Sequence, residues 1–220
     1  AARLEQVLTA LRAHGRSVIP LAYVNSSAEV KSICGRFGGS VCTSANARVM
    51  LQWALGQGDA VLFLPDKNLG HNTADLLAIP QSDRLEIRIR KGGAMLDLER
   101  AAKARLLLWP GACAIHHMFK ARHVADMRAA HPGLKVIVHP ECLPEIVQAC
   151  DGAGSTTFLI KYCAEADRGT RIAVGTELNL VRRLAARHPD KTIVPLRELT
   201  CSNMAKISEA QAQGKSFHLF

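Results

Sequence analysis

The stretch AVLFLPDKNLGHNTADLLAI, residues 60–79, contains the strand-to-helix transition on which the fold prediction depends. An apolar run suited to a strand stops at Pro65-Asp66, and a polar, glycine-containing segment then opens a helical pattern. Similar units recur along the chain, beginning with SVIPLAYV at 17–24. Alternating strands and helices of this length predict parallel sheets that are covered by helices on both faces.

The units also correspond between two halves of the chain, and such an internal repeat decides the architecture. The matching pairs are PDKNL (65–69) with TELNL (176–180), Thr43-Ser44 with Ser155-Thr156, and Cys113 with Cys201. We therefore predict an α/β protein of tandem three-layer αβα domains, each with a short parallel four-stranded sheet. The first domain is expected at 1–115 and the second at 116–220. An insertion near 80–103 has the pattern of a small hairpin or an extended connection.

Composition restricts the classes of function. The chain has 28 lysines and arginines against 19 acidic residues, a net charge of +9, which suits either nucleic acid or anionic small substrates. The basic residues are scattered and aromatic residues make up only 5%, which argues against nucleic-acid binding. The longest apolar run, 106–115, is about half of the roughly 20 residues that span a bilayer. We expect a cytoplasmic protein that does not bind membranes.

Seven cysteines occur, with no C-x-x-C pair among them. That spacing excludes a self-contained zinc ribbon or a local ferredoxin-like site. An odd number of cysteines without a signal peptide also argues against a disulfide framework. Any metal site must therefore collect cysteines from distant segments.

Polar side chains gather at the predicted carboxyl ends of the strands, where open parallel sheets bind ligands. They are Tyr23, Asn25, Thr43, Ser44, Asp66, Asn68 and Cys113 in the first half, and His139, Glu141, Ser155, Thr156, Glu177, Asn179 and Cys201 in the second. Hydroxyls such as Ser44 and Ser155 either cap a helix or hold anionic oxygens at its N-terminus. His139 and Glu141 either transfer protons or belong to a capped turn.

Together these motifs resemble the quinolinate synthase family, the iron–sulfur enzymes of de novo NAD synthesis. The resemblance is carried by YVNSSAEVKSICGRFGGSVCTSANA (23–47), FLPDKNLGHNTA (63–74), WPGACAIH (109–116), KVIVHPEC (135–142), GSTTFLIK (154–161), GTELNLVRRLAARHPDK (175–191) and CSNM (201–204). It implies three similar αβα domains around a pseudo-threefold axis, each giving one cysteine to a 4Fe-4S cluster. Cys113 and Cys201 match the second and third of these cysteines.

The resemblance also implies the reaction and the roles of individual residues. The family condenses iminoaspartate, supplied by L-aspartate oxidase, with dihydroxyacetone phosphate to form quinolinate, losing phosphate and water. The cluster leaves one iron open as a Lewis acid. By position, His139 and Glu141 are catalytic and transfer protons, while Tyr23 binds or protonates the intermediate and is a base only if a nearby cation or iron lowers its pKa. The substrate-binding positions are Asn25, Ser44, Ser155 and Thr156.

The match leaves out the family's first domain. We therefore expect the sequence to be the C-terminal two-thirds of a family member and to be inactive by itself, a naturally shortened relative being the alternative. The competing function is a non-catalytic anion-binding α/β module derived from the family. We expect 63–74 to support the site wall through Asp66 and Asn68, with Gly70 relaxing the backbone behind them.

Overall fold

The computed structural model describes residues 1–90, 93–95 and 97–202. Within them the helices are α1 (Ala2–Ala13), α2 (Ala28–Arg36), α3 (Ala47–Leu55), α4 (Lys67–Leu76), α5 (Leu98–Lys103), α6 (Ala114–His117), α7 (Ala121–Ala130), α8 (Pro144–Ala149), α9 (Thr156–Glu165) and α10 (Leu178–Arg187). The strands are β1 (Val18–Tyr23), β2 (Ser40–Cys42), β3 (Ala60–Leu64), β4 (Arg84–Glu86), β5 (Arg88–Arg90), β6 (Gly93–Met95), β7 (Leu106–Leu108), β8 (Lys135–Val138), β9 (Gly152–Ala153), β10 (Arg171–Gly175) and β11 (Thr192–Pro195). None of the helices in these described ranges combines the length and the apolar character that crossing a bilayer requires.

Two parallel sheets form the framework, which confirms the α/β prediction. The first has the strand order β2-β1-β3-β7-β4, and the second has the order β11-β10-β8-β9. Apart from the inserted β4, the two sheets have the same order. The first strand along the chain, β1 or β8, lies between the second, β2 or β9, and the third, β3 or β10. The last strand, β7 or β11, lies beside the third. The same topology therefore occurs twice, as the sequence repeat predicts. The domain boundary at 115/116 stays a prediction.

The first sheet differs from the prediction because it has a fifth strand. Part of the insertion, β4, pairs parallel with β7, with Leu85 opposite Leu107. The rest forms the antiparallel hairpin of β5 and β6. Leu85 and Ile89 both pack against the buried residues of the first sheet, so burial of apolar surface ties the insertion to this half. The predicted four-stranded sheet is found in the second half only.

The central strands are buried on both faces. In β1, Val18 and Ala22 belong to one apolar layer, and Leu21 belongs to the layer on the opposite face. In β8, Val136 and Ile137 are divided in the same way. Such strands appear in the sequence as continuous apolar runs, as is typical of parallel sheets between helices. Each fully buried Val or Leu side chain contributes about 1.5–3 kcal/mol of transfer free energy.

The transition from β3 to α4 follows directly from its sequence. Pro65 lacks the N–H that would continue the strand ladder. Asp66 then caps α4, because its Oδ1 accepts hydrogen bonds from the backbone N–H groups of Asn68 and Leu69 at 2.7 and 3.1 Å. The expected role of Gly70 was wrong. It lies within α4, and a Cβ there would come within 2.4 Å of Leu108 Cδ2, so close packing requires glycine at this position.

Candidate active site

A cavity of about 1300 Å³ opens at the carboxyl ends of the strands and is lined by both halves of the chain. Seven of the nine predicted site residues line it: Tyr23, Asn25, Cys113, His139, Glu141, Thr156 and Cys201. The parallel sheets explain this convergence, since the turns that follow their strands meet at one end of each sheet. Ser44 and Ser155 are the two predicted residues outside the lining.

The two serines have different surroundings. Ser44 lies against the site, because its Oγ is 3.2 Å from His139 Nε2. Ser155 caps α9, where its Oγ accepts the Phe158 N–H at 3.3 Å. For Ser155 the helix-capping alternative describes the observed contact. Substrate binding by either serine stays a prediction.

Two histidines and one carboxylate form the centre of the site. His116 Nδ1 is 2.8 Å from Glu141 Oε2, and its Nε2 is 3.4 Å from Thr176 Oγ1. The His116 ring stacks on the His139 ring, with centroids 4.6 Å apart and an interplanar angle of 18°. His116, His139 and Glu141 are all buried. These contacts bring together side chains from the turns after β7, β8 and β10, and the two histidines and the carboxylate can transfer protons.

Burial and hydrogen bonding give the three groups different charges at neutral pH. Burial opposes the charged form of His116, but hydrogen bonds with Cys113 and Glu141 outweigh it and raise its pKa to about 9. Burial and then the positive charge of His116 lower the pKa of His139 to about 4. Glu141 is buried too, yet the His116 hydrogen bond holds its pKa at about 2. An imidazolium–carboxylate pair therefore lies beside a neutral imidazole.

The neutral tautomer of His139 follows from its partners. The Glu141 backbone N–H donates to His139 Nδ1 at 3.4 Å, so Nδ1 is an acceptor. The proton is then on Nε2, which donates to Ser44 Oγ. Tyr23 is also protonated, because burial, followed by the negative charge of Glu141, raises its pKa. In this environment Tyr23 stays a neutral hydrogen-bond donor, and the lowered pKa that a base needs is not found.

Cys113 and Cys201 are the two cysteines that line the cavity, and both are half-buried. Burial raises the pKa of Cys34, Cys150 and Cys163 to about 11 and that of Cys42 to about 12, and it raises the pKa of Cys142 as well. Those five thiols stay protonated at neutral pH. Cys113 and Cys201 are reached from the cavity, as the cysteine ligands of an iron–sulfur cluster must be. The ligand atoms of Cys113, His116 and Glu141 also lie within 4.8 Å of one another, a group that could hold a metal ion.

His116 and Thr176 were not predicted as site residues, although the sequence contains an indication of each. His116 stands three residues after Cys113, and C-x-x-H at the start of a helix places both side chains on one face. Thr176 directly follows β10, the position from which other site residues were chosen. Arg183, from α10, is a third lining residue that was not singled out.

The opposite pKa shifts of the histidines predict how stability depends on pH. The pKa of His139 is lowered from 6.5 to about 4, so its contribution is complete above pH 6.5 and is lost as the pH falls. The pKa of His116 is raised from 6.5 to about 9, so its contribution is complete below pH 6.5 and is lost as the pH rises. The contribution of this pair to the free energy of unfolding should therefore be greatest near pH 6.5.

Urea unfolding of the purified chain between about pH 5 and pH 9 measures this dependence. His116→Gln should reduce the loss of stability on the alkaline side, and His139→Gln should reduce it on the acid side. An alkaline slope that His116→Gln leaves unchanged would contradict the assignment of the charged imidazole.

Comparison with known proteins places the chain in a family. The family model described as Quinolinate synthetase A protein matches residues 1–214. The chain is 44% identical over 196 residues to a quinolinate synthase of Halalkalibacterium halodurans, covering 85% of this chain and 51% of that protein. It is 46% identical over 208 residues to one from Nocardioides sp., with 90% and 53% covered. For one from Geobacillus kaustophilus the values are 42% over 187 residues, with 85% and 51% covered. The chain thus spans about half the length of the curated relatives it matches.

Proposed function

Because the chain belongs to the quinolinate synthetase A family, we propose that it forms part of an enzyme that makes quinolinate for NAD biosynthesis. The proposed substrates are iminoaspartate, supplied by an L-aspartate oxidase, and dihydroxyacetone phosphate. The observation that carries this proposal is the meeting, in one cavity, of Cys113 and Cys201 with the His116–Glu141 pair. These groups combine soft metal ligands with proton carriers.

The cavity suits small anions. Arg183 supplies a guanidinium, which matches the planar geometry of carboxylate and phosphate groups, while the charge of the His116 imidazolium is balanced by Glu141. Asn25 and Thr156 add exposed hydrogen-bonding groups from opposite halves of the chain. We propose that these side chains orient the carboxylates and the phosphate before condensation.

Ring closure requires protons to leave carbon and to reach departing oxygens. We assign proton donation to His116, whose pKa of about 9 keeps it charged at neutral pH, and binding of the intermediate through a hydrogen bond to Tyr23. His139 is neutral at the same pH, and its Nε2–H, which faces Ser44 Oγ, makes it the second proposed proton-transfer group. Glu141 keeps the His116 imidazolium in place through the 2.8 Å contact. A 4Fe-4S cluster held by Cys113 and Cys201, with one ligand from outside this chain, would supply Lewis-acid chemistry.

The proposal is tested by anaerobic reconstitution of the full-length gene product with iron and sulfide. Incubation with iminoaspartate and dihydroxyacetone phosphate should then release quinolinate. We expect residues 1–220 alone to release none, because they bring only two of the three cluster cysteines that the family uses. Binding of anions with no cluster and no turnover in the full-length product would favour the non-catalytic anion-binding module instead.

A further inference from the structure

Helix α4 carries two asparagines, Asn68 and Asn72, one helical turn apart. Their exposed fractions are 2% and 4%. An amide buried without hydrogen bonds costs roughly 1–3 kcal/mol, so a buried pair on one helix face needs partners. Neither residue is part of the proposed proton transfer.

The partners of both asparagines lie in the loop that carries the proposed proton-transfer groups. Asn68 Nδ2 donates to the carbonyl oxygen of Glu141 at 3.1 Å. Asn72 Nδ2 donates to those of Pro140 and Cys142, each at 2.8 Å. Three consecutive carbonyls of a loop outside the strands are thus held by side chains about 70 residues away in sequence.

The position of this loop decides the geometry of the site. The Glu141 carboxylate reaches His116 at 2.8 Å, and His139, from the same loop, stacks on the His116 ring. A shift of the loop by roughly 1 Å would lengthen the carboxylate contact beyond hydrogen-bonding distance. Such a shift would also part the stacked rings.

The start of α4 is tied to the other side of the site as well. Asp66 Oδ1 caps the helix, while its Oδ2 accepts the backbone N–H of Cys113 at 2.5 Å. The helix also approaches β7 closely, since a Cβ at Gly70 would lie 2.4 Å from Leu108 Cδ2. The same two turns of helix therefore contact both the cysteine segment and the Glu141 loop.

We propose that Asn68 and Asn72 are positioning residues that set the place of Glu141 and His139 in the reaction. This inference rests on the proposed function of the site. The amides act through the loop and do not touch the substrates. Asn72 Oδ1 has no hydrogen-bond partner among the described residues, so Asn72 acts on the loop through the two hydrogen bonds that its Nδ2 donates.

Asn68→Ala and Asn72→Ala in the full-length gene product test the proposal. Each should lower kcat by at least about tenfold, since small displacements of catalytic groups are costly, while KM and iron content change much less. Asn72→Asp keeps the shape of the side chain but replaces Nδ2 by an oxygen. That oxygen cannot donate to the carbonyls of Pro140 and Cys142. The kcat of this variant should fall at least as far.

Thr73→Val is the matched control. Thr73 is buried in the same helix, but its Oγ1 donates to Leu69 O within α4 at 2.6 Å, so the substitution removes a buried hydrogen bond without touching the loop. It should lower stability while kcat stays unchanged. In a background with both Glu141→Gln and His139→Ala, the asparagine substitutions should cost little further kcat, because they act through these two residues.

Hydrogen exchange provides a readout that does not depend on activity. Asn72→Ala should speed amide exchange in residues 139–143, and Thr73→Val should not. If the unsubstituted protein makes no quinolinate, the proposed function is wrong. Amide hydrogen exchange in residues 139–143 still tests the positioning role, because that measurement does not depend on activity. The proposal is overturned if the loop exchanges equally in both variants, or if the asparagine variants lose no more kcat than Thr73→Val.

Discussion

Replacing Cys113 or Cys201 by serine is expected to abolish both cluster binding and quinolinate formation in the full-length gene product. The two thiols lie in one cavity although 88 residues separate them, and serine oxygen is too hard a ligand to replace a thiolate on iron. Iron and sulfide content after anaerobic reconstitution, together with the visible absorption spectrum, measures the effect. This is the largest change that we predict.

Cys163→Ser is the control for this experiment. Cys163 is buried in α9 away from the cavity, and burial raises its pKa to about 11, so it is unsuited to bind iron. Its serine variant should retain the cluster. Full cluster content in Cys201→Ser would show that the assignment of the cluster ligands is wrong.

Glu141→Gln is expected to lower turnover by at least about tenfold, with the cluster spectrum unchanged. Glutamine keeps the shape of the side chain but removes the negative charge that stabilises the His116 imidazolium. His116 should then lose its proton more readily, and its role as a donor is weakened. His139→Ala should lower turnover to a similar extent, because it removes the second proposed proton-transfer group.

Glu145→Gln is the matched control, since it makes the same chemical change four residues further along, at an exposed position of α8. Its rate should equal that of the unsubstituted protein. If Glu141→Gln and His139→Ala both retain full rates, residues 139–141 form a structural turn, and the acid–base role proposed for them is wrong.

Most of the fold could be predicted from the sequence because the central strands are buried on both faces. Runs such as AVLFL and KVIV are apolar throughout, and the residues that end them have strong turn or capping chemistry. The repeat then predicted that the strand ends would converge. The fifth strand was not predictable, because the alternation in LEIRIR is equally typical of a hairpin, and only the site of burial distinguishes its two parts.

The details of the site depended on contacts between distant residues. The repeat pairs Thr43-Ser44 with Ser155-Thr156, yet Ser44 contacts His139 while Ser155 contacts its own helix. Propensity and spacing do not distinguish these cases. The charge of His116 likewise depends on Glu141, which is 25 residues away and lies in the turn after β8.

The added strand β4 also affects how molecules of this protein meet one another. Without it, β7 would be the outermost strand, and the backbone of three fully buried leucines would be open to pairing with a second chain. In its place the sheet ends in a three-residue strand with charged side chains, in which Arg84 pairs with Asp75 and Glu86 with Lys67. Short, charged outer strands resist edge-to-edge association, so the insertion protects this half of the chain from aggregation.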